Sequence, residues 1–338
     1  MKKITLSFAL LSAMTGAQAY QFEVQGVAGY YDADLNDGNY NAGLQGTYYT
    51  KALDLSTGPL AEAAFLNQAT SVSIGYSFGK LTADLDFSNQ KPVIPEGASQ
   101  AVIDEVNKKV QEMASERGLD SNLQAELDTE QHSYGIKAET YIPTSIVPVY
   151  ASASYNHSIT DAKNKFTALN FNDDSGDRFA LELGAVIAPN FLVTVGYTSV
   201  AATESLDTFN ILNNGLMSAS MEARTIGNDQ DAITARTKYL GAIAGTNMSV
   251  GFEAGLVYGE ESMYQLKSDL YVTPKLGFGI SYTEASYKSS IVPTSAISTN
   301  ASYFVTPAIS LGANYVYANG EYGAKDAQLG SLNAKFRF

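Results

Sequence analysis

The sequence has no cysteine and no tryptophan, and after its first nineteen residues no apolar run approaches the ~20 residues that a membrane helix needs. Without cysteine there is no disulfide framework, zinc–thiolate site or thiol nucleophile. Basic residues are scarce: 21 Lys and Arg stand against 35 Asp and Glu in 338 residues, a net charge of −14. That balance excludes the concentrated basic face of a nucleic-acid binder. Only two histidines exist, His132 and His157, too few for a histidine metal cluster. No phosphate-cradling loop or dinucleotide fingerprint is present in strand–helix context, so no cofactor and no metal are expected.

The chain opens on an export signal. Lys2 and Lys3 precede an apolar stretch from Ile4 to Ala13, and Ala17-Gln18-Ala19 is a small-x-small cleavage site. Cleavage before Tyr20 leaves 319 residues with 19 bases and 35 acids, a net charge of −16. An exported chain without a membrane helix is either soluble or an outer-membrane β-barrel.

Alternation favours the barrel. Val72, Ile74, Tyr76 and Phe78 alternate with Ser71, Ser73, Gly75 and Ser77. Leu276, Phe278, Ile280 and Tyr282 alternate with Gly277, Gly279, Ser281 and Thr283. This period of two belongs to strands whose faces meet different solvents, lipid outside and water inside. The 22 tyrosines suit interfacial girdles, and the near-zero mean hydropathy of −0.09 fits a wall that is half apolar. Short turns carrying Pro or Asn join the runs at 142–148, 188–190, 246–247, 273–274 and 306–307, where a missing ladder donor does least harm. Placing these tight turns in the periplasm puts long loops near 90–131, 159–176 and 200–231 outside the cell. The expectation is an all-β, transmembrane, antiparallel up-and-down barrel of about 14–16 strands. The runs number 16, with 58–67 and 81–89 counted as strands. The final run ends in Leu332, Ala334, Phe336 and Phe338, alternating apolar positions closed by an aromatic, which matches the signal read by outer-membrane insertion machinery.

Three stretches carry a resemblance. They are Ala19-Tyr20-Gln21-Phe22-Glu23-Val24-Gln25-Gly26, the segment from Gly58 to Ala69 followed by Val72-Ser73-Ile74-Gly75-Tyr76, and Pro143-Thr144 with Val147-Pro148-Val149-Tyr150-Ala151-Ser152-Ala153. Together they resemble the small porin family of Gram-negative outer membranes, of the 33-to-36-kilodalton outer-membrane protein type. The similarity runs the length of the barrel and is weakest near 90–131, which looks like an insertion. The resemblance implies a monomeric, water-filled barrel of roughly 14 strands, partly occluded by folded-in segments and passing small hydrophilic solutes. It brings no catalytic residues.

Alternation assigns a polar set to the lumen: Asp84, Asp86, Lys137, Glu139, Arg178, Glu182, Arg236, Lys238, Glu253, Lys267, Asp269, Asn314, Asn333, Lys335 and Arg337. Charges held in a narrow aqueous throat bias which ion enters. The same charges also serve simply to solvate the wall and pair across strands. The acid excess of the whole chain predicts a weak cation preference.

In the 90–131 insertion, Val102, Val106, Val110 and Met113 fall at helical spacing, with Gly118 as a stop. Ser121 and Gln124 have capping-box spacing for a second short helix through Leu123 and Leu127. The 200–231 loop carries Leu206, Phe209, Ile211, Leu212, Leu216, Met217, Met221 and Ile226, too apolar to stand free. It is expected to pack on the rim or fold inward as a constriction.

An enzymatic rim would need His beside a nucleophile. His157 and Ser158 are adjacent, but neighbouring strand residues point to opposite faces. The acidic run 32–38 lacks the closing Glu of a calcium loop and reads as a solvated hairpin. The function expected is therefore a porin for water, ions and small hydrophilic solutes. The main alternative is a plugged barrel whose extracellular loops bind partners, and a rim hydrolase is a distant third. Expected partners are outer-membrane lipid and lipopolysaccharide, the barrel-assembly machinery, and the solutes themselves.

Overall fold

The computed structural model describes residues 19–33, 36–86, 107–112, 124–164, 174–200, 207–210, 212, 222, 230–287, 293–321 and 326–338. Fourteen strands run β1 (Ala19–Ala33), β2 (Asn36–Asp54), β3 (Ser71–Asp86), β4 (Gln124–Ile142), β5 (Val149–Asn164), β6 (Asp174–Ala188) and β7 (Phe191–Val200). They continue as β8 (Gln230–Ala242), β9 (Ser249–Tyr258), β10 (Ser262–Thr273), β11 (Leu276–Ala285), β12 (Ser295–Thr306), β13 (Ile309–Asn319) and β14 (Ala327–Arg337). Every strand pairs antiparallel with its sequence neighbours, and β1 pairs with β14 to close the barrel. Closure leaves no ladder edge unpaired, the condition for crossing a hydrocarbon layer with strands.

The outer face of the wall carries Leu44, Ile74, Ile136, Leu183, Val195, Ile280 and Leu332, all exposed. In water such a surface would aggregate; against lipid it is what a barrel requires. Aromatic residues gather at the two ends. Phe22, Tyr48, Tyr239 and Tyr303 ring the tight-turn end, and Tyr30, Tyr40, Tyr134, Tyr197 and Tyr258 ring the other. On β14, Leu332, Ala334, Phe336 and Phe338 all lie on this outer face. Phe338 stacks on Phe22 with ring centroids 5.8 Å apart, and the two residues exchange backbone hydrogen bonds of 2.8 and 2.9 Å.

The strand count corrects the sixteen runs of the sequence pattern. The run at 81–89 is no separate strand, because no turn interrupts Gly79 and Lys80 and β3 continues straight to Asp86. The run at 58–67 is no strand either. Pro59 has no amide hydrogen, and the alanines behind it form a 3-10 turn (Leu60–Glu62) followed by the short helix α1 (Ala63–Leu66). The capping-box helix at 121–127 is likewise absent from residue 124 onward. Leu127 sits in β4, opposite Ala83 on one side and Asn164 on the other, so long-range pairing overrides the local capping pattern. Residues 107–112 are helical, with Val110 buried and Lys108 and Glu112 an ion pair at i,i+4. Val102, Val106, Met113, Gly118 and Leu123 lie outside the described residues, as does the export signal up to residue 18. Because β5 reaches Asn164 and β6 begins at Asp174, the loop expected over 159–176 is shorter than its pattern suggested.

Short turns cluster at the end that holds both chain termini. Asn190 adopts φ +59° in the β6–β7 turn and Gly245 φ +77° in the β8–β9 turn, left-handed conformations that these two residue types tolerate. By the orientation of outer-membrane barrels this end faces the periplasm.

Candidate functional site

The inner face of the wall is divided in two. Strands β4, β6, β8, β9 and β10 carry the charges: Lys137 and Glu139, Arg178 and Glu182, Arg236 and Lys238, Glu253, then Lys267 and Asp269. Strands β11–β13 and β2–β3 present only neutral groups among the described residues, such as Ser281, Asn300, Ser302, Asn314, Asn41 and Ser73. Asn333, Lys335 and Arg337 face inward from β14, the two cations close to Glu23 of β1. Asp84 and Asp86 belong to β3, but their side chains lie outside the described residues.

Most wall charges are paired with each other. Lys137 Nζ meets Glu139 Oε1 at 2.9 Å, and Lys267 Nζ meets Asp269 Oδ2 at 3.2 Å. Arg236 grips Glu182 through Nε and Nη2 at 2.9 and 3.0 Å and reaches Glu253 at 3.6 Å. Glu23 receives both Lys335 at 3.0 Å and Arg337 at 2.8 Å. Seven inward cations face five inward carboxylates among the described wall residues, a net charge of +2. The acid excess of the whole chain is therefore not a property of this wall, and the cation preference expected from it loses its basis there.

Two segments fold into the lumen. At the periplasmic end, 59–66 leaves the β2–β3 side and reaches the opposite wall. The Leu60 amide donates to Pro274 O at 2.8 Å, and Arg337 Nη1 donates to Leu60 O at 3.0 Å. Glu62 accepts from Lys238 Nζ at 2.8 Å and from Tyr271 OH at 2.6 Å. The Phe65 ring lies 5.1 Å from Lys238 Nζ, a cation–π contact, and packs among Tyr150, Leu192 and Tyr271. Burial pushes the Glu62 carboxyl up, but Lys238, Tyr271 and the more distant Lys267 outweigh it and hold the carboxyl down at about 2.

The second segment comes from the β7–β8 connection. Thr208, Phe209 and Leu212 are buried against a floor made by Gly43 of β2, Gly75 of β3 and Gly135 of β4. A Cβ on Gly43 would stand 2.7 Å from Leu212 Cδ2, and one on Gly75 or Gly135 would stand within 3.3 Å of the Phe209 ring. Asn156 Oδ1 accepts from the Thr208 amide at 3.0 Å, and Gln25 Nε2 donates to Leu212 O at 3.4 Å. Glu222 accepts from Arg178 and from Asn210. Burial pushes the Glu222 carboxyl up, Arg178 opposes this, and the nearby Asp207 tips the balance upward. Of the apolar loop residues read from sequence, Phe209 and Leu212 point into the lumen; Leu206, Ile211, Leu216, Met217, Met221 and Ile226 lie outside the described residues. Beside the second segment remains a chamber of about 480 Å³, touched by Lys137, Arg178, Glu182, Arg236, Lys238 and Lys267 as well as by Asp207, Phe209 and Glu222.

The histidines take no part in it. His157 lies on the lipid-facing side, its Nδ1 2.8 Å from Asp177, while Ser158 faces inward and shares a 2.8 Å hydrogen bond with Ser133. His132 is on the outer face against Tyr76. Alternation separates the imidazole of 157 from the hydroxyl of 158, which removes the rim-hydrolase arrangement from this pair.

Sequence alternation pointed to the wall cations but missed their inserted partners, Glu62, Asp207 and Glu222. It also missed Glu23 and Tyr271. Gly58-Pro59 before an alanine run was the one local sign that 59–66 leaves the sheet.

Scans against protein-family models and curated proteins find no match. Among solved structures, the Acinetobacter baumannii outer membrane protein Omp33 aligns at 37% identity over 95% of this chain and 99% of its own, with a TM-score of 0.60. The chain belongs to the Omp33 family of outer-membrane proteins. It is an outer-membrane β-barrel, and its length matches that relative almost end to end. A second similar structure, a mutant of the monoaromatic hydrocarbon channel TodX, aligns at 10% identity over 98% of this chain and 94% of its own, with a TM-score of 0.50, a likeness of fold alone.

Proposed function

We propose that this barrel is a passive outer-membrane channel for small hydrophilic solutes and ions, closed in the conformation described here. The observation that carries the reading is the bar formed by 59–66, hydrogen-bonded to β8, β14 and the β10–β11 turn across the periplasmic end of a polar lumen. A plug meant to be permanent needs no charge at its tip, because apolar packing seals more cheaply than a buried ion pair. A tip latched by one carboxylate on one ammonium is suited to release. Transport then involves no catalytic step: lumen width and charge select, and the inserted segments gate. The protein works as a monomer in a Gram-negative outer membrane, is delivered there through its export signal, and is inserted by the barrel-assembly machinery. Its aromatic girdles meet lipid and lipopolysaccharide.

The test is single-channel current in a planar bilayer with refolded protein, wild type against a variant in which 60–66 is replaced by a short Gly-Ser turn. The wild type is expected to be mostly silent with rare discrete steps, and the shortened variant to conduct steadily. Silence from a shortened variant that circular dichroism shows to be folded β would refute the channel and leave the extracellular loops as a binding surface.

A further inference from the structure

We propose that Lys238 and Arg178 are binding sites for small organic carboxylates, and that Glu62 and Glu222 occupy them in the closed state as tethered stand-ins. The proposal rests on the channel reading and adds the chemical class of the solute.

The charge inventory of the lumen carries it. Of the seven inward cations, Lys137, Arg236, Lys267, Lys335 and Arg337 have carboxylate partners on the wall itself. Lys238 and Arg178 make their close ion pairs with Glu62 and Glu222, both on in-folded segments, although Glu253 of β9 stands opposite Lys238 in the strand register. The wall's net charge of +2 is thus these two side chains. The described in-folded residues supply three carboxylates, Glu62, Asp207 and Glu222, and no cation. Withdrawing the described in-folded residues therefore removes negative charge and bares one ammonium and one guanidinium in a chamber that both line. Two cations bared in a narrow aqueous lumen attract an anion to it.

The geometry names its class. Lys238 Nζ meets Glu62 Oε2 at 2.8 Å, with Tyr271 OH donating to the other oxygen, Oε1, at 2.6 Å. This is a complete carboxylate cradle of one ammonium and one hydroxyl. Arg178 is 2% exposed, and its Nη1 finds no hydrogen-bond partner among the described residues although Nε and Nη2 are engaged with Thr198 and Glu222. A guanidinium with a donor to spare suits the forked, planar recognition of a carboxylate. The chamber volume of about 480 Å³ accommodates a short dicarboxylate, and the neutral amide and hydroxyl arc of β11–β13 and β2–β3 offers it no competing charge. A carboxylate solute that outcompetes Glu62 for Lys238 opens its own path, by binding the open state and not the closed one.

The experiment contrasts two variants that break one contact. Glu62→Gln and Lys238→Gln both weaken the periplasmic latch, yet the first leaves the lumen more positive and the second more negative. In bilayers with a KCl gradient both are expected to open more often than wild type, with reversal potentials shifted toward chloride in Glu62→Gln and toward potassium in Lys238→Gln. Succinate is expected to raise wild-type open probability at least several-fold, with succinamide and equal added NaCl inert and Lys238→Gln unresponsive. A readout that needs no conduction is calorimetric titration of succinate, expected to bind Glu62→Gln at least tenfold tighter than wild type and Lys238→Gln not at all. Reversal potentials shifted in the same direction, or succinate affinity equal across the three proteins, would overturn the carboxylate sites while the channel stands. Silence in the bilayer from all three folded proteins would bring down the channel reading instead.

Discussion

Acid should open the periplasmic end, and the size of the effect follows from Glu62. Its carboxyl is held at about 2, against an ordinary value of 4.5, by Lys238 and Tyr271 working against its own burial. A carboxyl whose value is depressed in the latched state binds fewer protons there than when released. The latch is therefore at full strength above about 4.5 and weakens as pH falls toward about 2. The full shift corresponds to ~3 kcal/mol at neutral pH, at 1.36 kcal/mol per unit. Glu62 is only 11% exposed at its side chain, so solvent screening takes little from this figure. Linkage places the loss at about pH 3 near 2 kcal/mol, roughly a thirtyfold rise in the ratio of released to latched bar. The groups that face Glu62 are Lys238 from β8, Glu253 from β9, and Lys267, Asp269 and Tyr271 from β10, so other carboxylates titrate nearby. Glu62→Gln separates them, because it removes the titrating group and leaves the neighbours. Open probability recorded from about pH 6 to pH 3 should climb steeply in wild type and stay nearly level in the variant. A level wild-type curve, or a variant that climbs in parallel, would refute the assignment of the latch to this carboxyl.

Three further outcomes are expected. Gly75→Val places methyl groups where Thr208 and Phe209 now sit, an overpacking of about 1–3 kcal/mol that should eject the β7–β8 segment and raise its protease sensitivity in intact vesicles. Arg337→Met leaves Glu23 with Lys335 alone and frees the Leu60 carbonyl; a loss of about 1.5–3 kcal/mol, that of a charged hydrogen bond, should lower the urea midpoint of the refolded barrel. Deleting Phe338 removes the stacking on Phe22 and three barrel-closing backbone hydrogen bonds, and should reduce the heat-modifiable, membrane-assembled fraction seen on gels.

How much of this was legible from sequence depended on range. The wall of β9–β14 followed the alternation closely, and β9, β10, β12 and β13 end on or just before a glycine, proline or asparagine. The two errors of strand count arose where a local pattern was ambiguous. The alanines of 60–66 fit a strand or a helical turn equally, and only contacts with Pro274 and Arg337 decide between them. Gly79-Lys80 suggested a turn that the partner strand β4 simply pairs across. The site was half legible for the same reason. Lys238 announces itself by its place in an alternating strand, whereas Glu62 becomes its partner through a fold that spans more than half of the chain. The glycine floor was invisible for another reason: Gly43, Gly75 and Gly135 read as ordinary small lumen positions until the Phe209 and Leu212 side chains come to rest on them.

The placement of charge also bears on why the inserted segments differ in kind. A barrel wall must be assembled before anything can fold into it, so its charges have to be tolerable in an empty, wet lumen. Five of the seven cations meet that requirement through partners on the wall: on their own strand, on a neighbouring one, or, for Arg236 with Glu182, across β7. Lys238 and Arg178 are exceptions in that their close carboxylate partners arrive on the inserted segments. At the extracellular side the added group arrives on an apolar wedge, with Phe209 and Leu212 seated on glycines, so that segment is held mainly by packing. At the periplasmic side the carboxylate sits at the tip of a two-turn bar whose contacts with the far wall are polar apart from the packing of Phe65. Packing is insensitive to pH, and an ion pair whose carboxylate titrates is not. The two barriers should therefore respond to different stimuli. Acid is expected to loosen the periplasmic bar and leave the extracellular wedge seated. In current records that difference is a rise in openings as pH falls toward about 3 that is present in wild type and persists in Gly75→Val, because the bar, and not the wedge, carries the titrating latch.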